Sequence, residues 1–241
     1  MNAGKQRADA EPAFVLHTHP FRETSFIIEA FSRNFGRLAL VARGARRPRS
    51  ALRGVLLAFQ PLQMGWFGQG EVRTLAKAEW QGGQPLLNGR ALLCGYYLNE
   101  LILRLLPRED PHSSLFDAYA MVLRRLADGD SAPTHLRRFE QVLLRELGYA
   151  PTLDREADTG QPVLAGKRYS YAVERGPVEA SGESSGATLF SGRALLAMAG
   201  DDYSEAETLQ QSKALMRLLI NHYLGGRDLN SRRVFLELQE L

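Results

Sequence analysis

The sequence predicts an α+β protein in which a small N-terminal β-barrel is followed by an α-helical domain. Short segments of β-type composition alternate with turn residues up to about residue 80, and from Gly89 onward the hydrophobic residues recur at helical spacing. A chain of 241 residues has room for one large domain or two modest ones. We expect two, with the barrel in residues 1–82 and the helical domain in residues 83–241.

Five segments of the N-terminal region are rich in β-branched and aromatic residues. Five short strands are too few for an immunoglobulin-type sandwich, but they suit a closed barrel such as the OB-fold, a common platform for oligonucleotides. The spacing of the segments alone leaves an SH3-like barrel open. The predicted strands are Phe14 to His17, Thr24 to Phe31, Leu38 to Ala42, Phe59 to Met64 and Glu71 to Trp80.

Helical periodicity organises the rest of the chain, apart from an inserted loop region at about residues 150–190. Pro107 stops the first helix, and Thr134, after Pro133, is the expected N-cap of the third. The insertion has eight glycines and prolines, and only Arg168 to Val173 alternates as a strand or hairpin would. The predicted helices are Gly89 to Pro107, Ser113 or Ser114 to Gly129, Thr134 to Gly148, Ser191 to Ala199, Glu205 to Leu224 and Ser231 to Leu238.

Motifs for catalysis, cofactors and membrane insertion are absent from the sequence. It has no Gly-rich phosphate loop with lysine, no G-x-S-x-G and no H-E-x-x-H. The single cysteine, Cys94, can form neither an internal disulfide nor a thiolate-rich zinc site, which indicates an intracellular protein. No apolar run reaches the roughly 20 residues that span a bilayer, and the N-terminus has no signal-peptide core. We therefore expect a cytoplasmic protein that is not an enzyme and holds no cofactor or metal.

Positive charge is concentrated in the first third of the chain. Residues 1–80 hold 12 Lys and Arg against 6 Asp and Glu, whereas residues 81–241 hold 18 against 21. Of the 30 basic residues 26 are Arg, whose planar guanidinium pairs well with phosphate oxygens. The first third is therefore the part that we expect to face a polyanion.

A run of five arginines within eleven residues follows the third predicted strand and contains no acidic residue. Such a run predicts sequence-independent contacts with phosphates, and a merely solvated loop is the alternative. Three further basic residues lie in neighbouring strand segments. The expected phosphate contacts of the barrel are Arg37, Arg43, Arg46, Arg47, Arg49, Arg53, Arg73 and Lys77.

Two other sets of residues extend the predicted nucleic-acid interface. Aromatic rings stack on bases, although aromatic residues in a small barrel more often belong to its core. The candidates for stacking are Phe21, Phe35, Trp66 and Phe67. Basic residues that extend the footprint from the helical domain are Lys213, Arg217, Arg227, Arg232 and Arg233.

The most specific block of the sequence is Val41-Ala42-Arg43-Gly44-Ala45-Arg46, followed by Ser50. With several other blocks, in order along nearly the whole chain, it resembles the RecO family of bacterial DNA repair proteins. The other blocks are Arg22-Glu23-Thr24-Ser25, Gly36-Arg37, Gly70-Glu71-Val72, Tyr97-Leu98-Asn99-Glu100-Leu101, Leu136-Arg137-Arg138-Phe139-Glu140, Leu147-Gly148-Tyr149, Phe190-Ser191-Gly192 and Tyr223-Leu224-Gly225-Gly226 to Ser231-Arg232.

The resemblance implies an OB-fold, a helical domain and a recombination mediator without an active site. Proteins of this family bind single- and double-stranded DNA and anneal complementary strands. They engage the acidic C-terminal tail of single-stranded DNA-binding protein, and with RecR they help to load the recombinase RecA. The resemblance also implies association with the nucleoid.

The insertion departs from part of the family. Many relatives carry a four-cysteine zinc site there, as two C-x-x-C pairs. In this chain Glu156 and Thr159 stand where cysteines of the first pair would be, and residues 176–182 contain none. The resemblance therefore implies no zinc in this chain.

The third predicted helix holds the candidate residues for a protein partner, namely Leu136, Arg137 and Arg138. Arg137 could hold the terminal carboxylate of the acidic tail in two parallel hydrogen bonds, while an apolar pocket takes the last side chain. Alternatively, Arg137 and Arg138 pair with Glu140 or Gln141 on a solvated face.

A second hypothesis for the whole protein remains open. The chain could be an interaction adaptor whose barrel recognises a protein partner without binding DNA. Salt-dependent binding to oligonucleotides distinguishes the two hypotheses.

Overall fold

The computed structural model describes residues 6–180 and 188–237, and the chain divides into two compact units. The first unit comprises the described residues up to Asp130 together with those from Leu229 onward, and the second is Ser131–Asp228. The predicted division into a barrel domain of residues 1–82 and a helical domain of residues 83–241 stays a prediction.

The first unit contains a closed barrel of five strands, as predicted. Its strand order is β1-β2-β3-β5-β4, with β4 closing against β1; only β3 and β5 are parallel. This is the order of an OB-fold barrel, and a short helix, α1, precedes β4. The elements are β1 (Gln6–Phe21), β2 (Ser25–Ser32), β3 (Gly36–Ala42), α1 (Leu52–Val55), β4 (Leu62–Gly68) and β5 (Val72–Trp80).

Two strand predictions needed correction. Strand β1 extends far beyond Phe14 to His17, because its first half pairs with β4 and its second half with β2. The polar residues at the start of β1 do not show the pattern of a buried strand, so the sequence did not predict this part. Strand β4 begins at Leu62 rather than at Phe59, whose backbone has φ +67° and therefore lies outside the strand region.

Two helices of the first unit cover the outward face of β1 and β2. Phe14 and Phe31 point away from the barrel core and pack on Phe116 and Tyr119, with ring centroids 5.1–6.0 Å apart. From the other helix, the Asn99 side-chain amide donates a hydrogen bond to the backbone carbonyl of Leu16. Besides α1, the helices that the structure describes in this unit are α2 (Gly89–Leu105), α3 (Ser113–Ala127) and α7 (Asn230–Glu237). The predicted end of the last helix, Leu238, lies outside the described residues.

The described residues of the second unit form three helices and a small antiparallel sheet of order β7-β6-β8. The predicted strand from Arg168 forms β6, which pairs with β7 as a hairpin. The predicted N-cap Thr134 is wrong, because the helix begins at Ala132 and accommodates Pro133 in its first turn, where no backbone N–H is needed. The elements are α4 (Ala132–Glu146), β6 (Arg168–Ala172), β7 (Gly176–Glu179), β8 (Phe190–Ser191), α5 (Gly192–Ala199) and α6 (Ala206–Tyr223).

A hydrogen bond joins Thr159 to Glu156 in the insertion. The Thr159 hydroxyl donates to Glu156 Oε2 at 2.7 Å, and the Tyr169 hydroxyl donates to Glu156 Oε1 at 3.2 Å. Tyr169 also accepts the backbone N–H of Leu164. The buried Glu156 carboxylate thus ties the loop to β6. Within residues 6–180 and 188–237 no group of three or more His, Cys, Asp or Glu side chains is arranged to hold a metal.

No helix among the described residues is both long enough and apolar enough to cross a membrane.

Candidate nucleic-acid interface

The cationic loop, defined here as residues 43–53, connects β3 to the start of α1 at one end of the barrel. Arg46 anchors it to the β1–β2 turn: its backbone N–H donates to the carbonyl of Thr24 at 2.9 Å, and its Nη1 donates to the carbonyl of Arg22 at 3.1 Å. The Arg46 guanidinium also lies 6.0 Å from the centre of the Phe26 ring. The loop is therefore attached to the barrel, with Ala45 buried in the core, while its other arginine side chains remain exposed.

All five arginines of the cationic loop are exposed, and none pairs with a carboxylate of the described residues. Their charges add within a short segment, because no acidic residue interrupts it. Guanidinium groups donate paired, charge-assisted hydrogen bonds to phosphate oxygens. The five residues are Arg43, Arg46, Arg47, Arg49 and Arg53.

Arg37, on β3, lies instead within a cluster of ion pairs. Its Nη1 is 3.2 Å from Glu29 Oε2, its Nε donates to the carbonyl of Leu106 at 3.0 Å, and Arg108 pairs with the other oxygen of Glu29. Burial lowers the pKa of the Arg37 guanidinium, and the nearby Glu29 carboxylate opposes that shift. The structure thus engages Arg37 in contacts that hold residues 106–108 against the barrel.

Arg73, on β5, is similarly engaged. Its side chain is 7% exposed, and its Nη2 is 2.9 Å from Glu109 Oε1. The segment that carries Glu109 reaches the barrel where Gly36 begins β3, and a Cβ at Gly36 would lie 2.0 Å from the carbonyl oxygen of Asp110. Gly36, at φ +67°, is required for this close approach. Gly36 is visible in the sequence as a residue that permits such an approach. The sequence does not show that Glu109, 36 residues beyond Arg73, is the partner of that arginine.

Lys77 and one of the four aromatic candidates lie on the open surface of the barrel. Lys77 is half-exposed and only 3.5 Å from Glu79 Oε1, a weak surface pair. Trp66 is fully buried in the barrel core, and Phe35 packs on it at 5.2 Å. Phe21 lies below the Arg22 guanidinium, whereas Phe67 is 47% exposed. The structure therefore leaves Phe67 as the most accessible ring of the four.

The remaining basic candidates lie in both units. Lys213 and Arg217 are exposed one turn apart on α6, and Arg227 is exposed just after it. Arg232 and Arg233 lie on α7, where Arg233 is 3.8 Å from Glu237. The structure thus brings Lys213 and Arg217 together on one helix face.

The partner candidates on α4 differ in their surroundings. The Arg137 guanidinium is buried and its Nη2 is 2.6 Å from Glu140 Oε1, while that carboxylate is fully buried. Arg138 is about half-exposed, and its Nε is 2.9 Å from Asp201 Oδ1. Leu136 is partly exposed. Both guanidinium groups therefore already contact carboxylates of this unit.

Comparison with known proteins identifies the family. The family model described as recombination protein O N terminal matches residues 9–83, and the one described as recombination protein O C terminal matches residues 86–233. The chain belongs to the RecO family. The resemblance inferred from the ordered sequence blocks is thereby confirmed.

Two curated members of the RecO family illustrate how complete the similarity is. The DNA repair protein RecO of Aromatoleum aromaticum is 64% identical over 237 residues, which cover 98% of this chain and 99% of the relative. The DNA repair protein RecO of Azoarcus sp. BH72 is 59% identical over 242 residues, which cover 99% and 100%. Membership of the RecO family supports a role in DNA repair and recombination for this chain.

Proposed function

We propose that this protein is a recombination mediator that binds single- and double-stranded DNA and anneals complementary strands. The observation that carries the proposal is the cationic loop, in which five exposed arginines lie within eleven residues without a carboxylate partner among the described residues. Contacts of this kind go to the phosphate backbone and are independent of base sequence. They suit a protein that acts on any broken or gapped DNA.

Annealing requires no chemical step from the protein. Two DNA strands repel each other through their phosphates, and arginines that neutralise part of this charge lower the repulsion. Base pairing then drives the strands together. The proposed function accordingly assigns no catalytic residue to this chain.

The proposal includes three protein partners, in keeping with the family. With RecR, the protein would help to load RecA onto DNA that is coated with single-stranded DNA-binding protein. The acidic tail of that coat protein would meet α4, where Arg138 is the more accessible guanidinium and Asp201 its present partner. A tail carboxylate would exchange with Asp201 at Arg138 more readily than with the buried Glu140 at Arg137.

A DNA titration at several salt concentrations tests the proposal. Replacing Arg46, Arg47 and Arg49 by Ala is expected to weaken binding to all sequences. The slope of log Kobs against log salt should fall by up to about 0.9 per lost contact on duplex DNA, and by up to about 0.7 on single strands.

A matched control removes the same number of charges elsewhere. Arg124, Arg145 and Arg193 are exposed helical residues, and their triple Ala variant has the same net charge as the loop variant. The proposal requires the control to retain nearly the parent slope. Equal slopes for the parent and a folded loop variant would contradict the assignment of the loop, and a parent without oligonucleotide binding would favour the adaptor hypothesis.

A further inference from the structure

The barrel has one outward strand face that its own unit covers and one that it leaves open. OB-folds commonly bind ligands on the face of their second and third strands. Here the neighbouring outward residues Phe14, Leu16 and Phe31 are at most 3% exposed, because α2 and α3 pack on that side. The face formed by β5, β4 and the first half of β1 carries exposed residues instead.

A continuous row of outward side chains crosses this open face. Val41 on β3 pairs with Thr74 on β5, Thr74 pairs with Phe67 on β4, and Phe67 pairs with Arg7 on β1. At least one sequence neighbour of each lies in the barrel core or packs on it, so these four side chains point outward; the neighbours are Leu40, Ala42, Leu75, Trp66 and Ala8. Four adjacent strands spaced about 4.8 Å apart make the row about 14 Å wide. Since Val41 is two residues before Arg43, the row runs from the cationic loop to Arg7.

An open depression of about 410 Å³ lies beside the aromatic ring of this row. Arg7, Asp9, Gly65, Phe67 and Lys77 contribute to its lining. A Cβ at Gly65 would lie 2.8 Å from the carbonyl oxygen of Asp9, so glycine is needed there for the close approach of β1 and β4 at the edge of the depression. The depression therefore combines an exposed ring with two cationic side chains, and the Arg7–Asp9 pair that crosses it is about three-quarters exposed and weak.

We propose that this face binds a nucleotide of single-stranded DNA, with its base stacked on Phe67 and its phosphates beside Arg7 and Lys77. The inference rests on the proposed function and deepens it, because it names the strand state that this face selects. A base in a duplex already has neighbours on both of its faces, so only an unpaired strand offers a free face to Phe67. The flanking cations favour a polyanion over an apolar protein segment.

The test compares Phe67→Ala with the parent chain on a single-stranded oligonucleotide and on a duplex of the same sequence. Loss of one base stack is expected to weaken single-strand binding about 5- to 100-fold, and duplex binding should change less than twofold. Phe67→Trp should restore single-strand binding. An oligonucleotide containing 2-aminopurine should lose fluorescence with the parent and with Phe67→Trp, but not with Phe67→Ala.

Tyr96→Ala is the matched control, because Tyr96 is 49% exposed in the same unit and lies outside the row. If Phe67→Ala binds single strands as tightly as the parent, or weakens both DNA forms equally, the inference is wrong. The proposed function would still stand if the loop triple variant weakened binding in the same assay. A parent that binds neither DNA form would overturn both.

Discussion

Two groups of arginines in the first unit have the same chemistry and different surroundings. Arg43 to Arg53 extend from the cationic loop without carboxylate partners among the described residues, whereas Arg37 and Arg73 have side chains only 15% and 7% exposed and contact Glu29 and Glu109. Both groups were predicted to bind phosphates. The difference teaches that the position of carboxylates in the fold, rather than the count of arginines, decides which cations remain available.

The same contrast occurs within two consecutive residues of α4. Arg137 is paired with Glu140 in the interior, and Arg138 is paired with Asp201 at the surface. A buried charge that loses its partner remains desolvated, whereas water replaces the partner of an exposed charge. These neighbours therefore allow the comparison to be tested on one helix.

The largest effect is expected for Glu140→Gln. This change leaves the charge of Arg137 in the interior without its anionic partner and should lower the free energy of unfolding by about 3–5 kcal/mol. The matched change at the surface, Asp201→Asn, should cost at most about 1 kcal/mol. Urea unfolding of both variants measures the two values, and equal losses would break the comparison.

A smaller loss is expected for Glu29→Gln in the barrel unit. The Glu29 side chain is 10% exposed and serves both Arg37 and Arg108, so its neutralisation should lower the free energy of unfolding by about 2–3 kcal/mol. The double Ala variant of Arg47 and Arg49, which spares the anchoring Arg46, should change it by no more than about 0.5 kcal/mol. A loop variant as unstable as Glu29→Gln would show that the loop arginines hold the fold together.

The sequence predicted what depends on local pattern. Alternating β-type segments predicted five strands, and the repeated spacing of leucines predicted the main helices, because both signals lie within a few residues. The length of β1 was missed because its first half is largely polar and becomes a strand by pairing with β4, 49 to 62 residues further along the chain. The prediction of Thr134 as the N-cap was wrong because the helix starts two residues earlier, with Pro133 in its first turn, and no local pattern of the sequence distinguishes these two starts.

The candidate site divides in the same way. Exposure of the loop arginines followed from composition, since a run with five arginines and no acidic residue offers them no local partner with which to be buried. The ion pairs of Arg37 and Arg73 were not predictable, because residues 106–110 approach the barrel only in the folded chain. Two of the four aromatic candidates, Trp66 and Phe67, are adjacent on β4. The pairing register of β4 decides that Trp66 points into the core and Phe67 points outward.

The carboxylates of the first unit also differ in their partners, as a comparison of Glu100 with Glu29 shows. Unlike Glu29, Glu100 acts mainly on backbone groups: its oxygens accept the N–H groups of Asn230 and Ser231 at the start of α7, and the Ser231 hydroxyl, at 2.7–2.9 Å. Burial by itself raises the pKa of Glu100, but these hydrogen bonds and the charge of Arg104 outweigh it, so the pKa lies below its usual value. The folded chain therefore favours the ionised carboxylate.

The smallest effect is expected in the pH dependence that Glu100 contributes. Because its pKa is lower in the folded chain than in the unfolded one, its contribution to stability is complete above about pH 4.5 and is lost as the pH falls through the folded value. Glu100→Gln should therefore flatten the decline in unfolding free energy below pH 4.5, while leaving the values above pH 6 uniformly lower. Urea unfolding from pH 3 to pH 7 gives both curves. Parallel curves would mean that Glu100 titrates alike in both states, and α7 would then owe its attachment to packing rather than to this carboxylate.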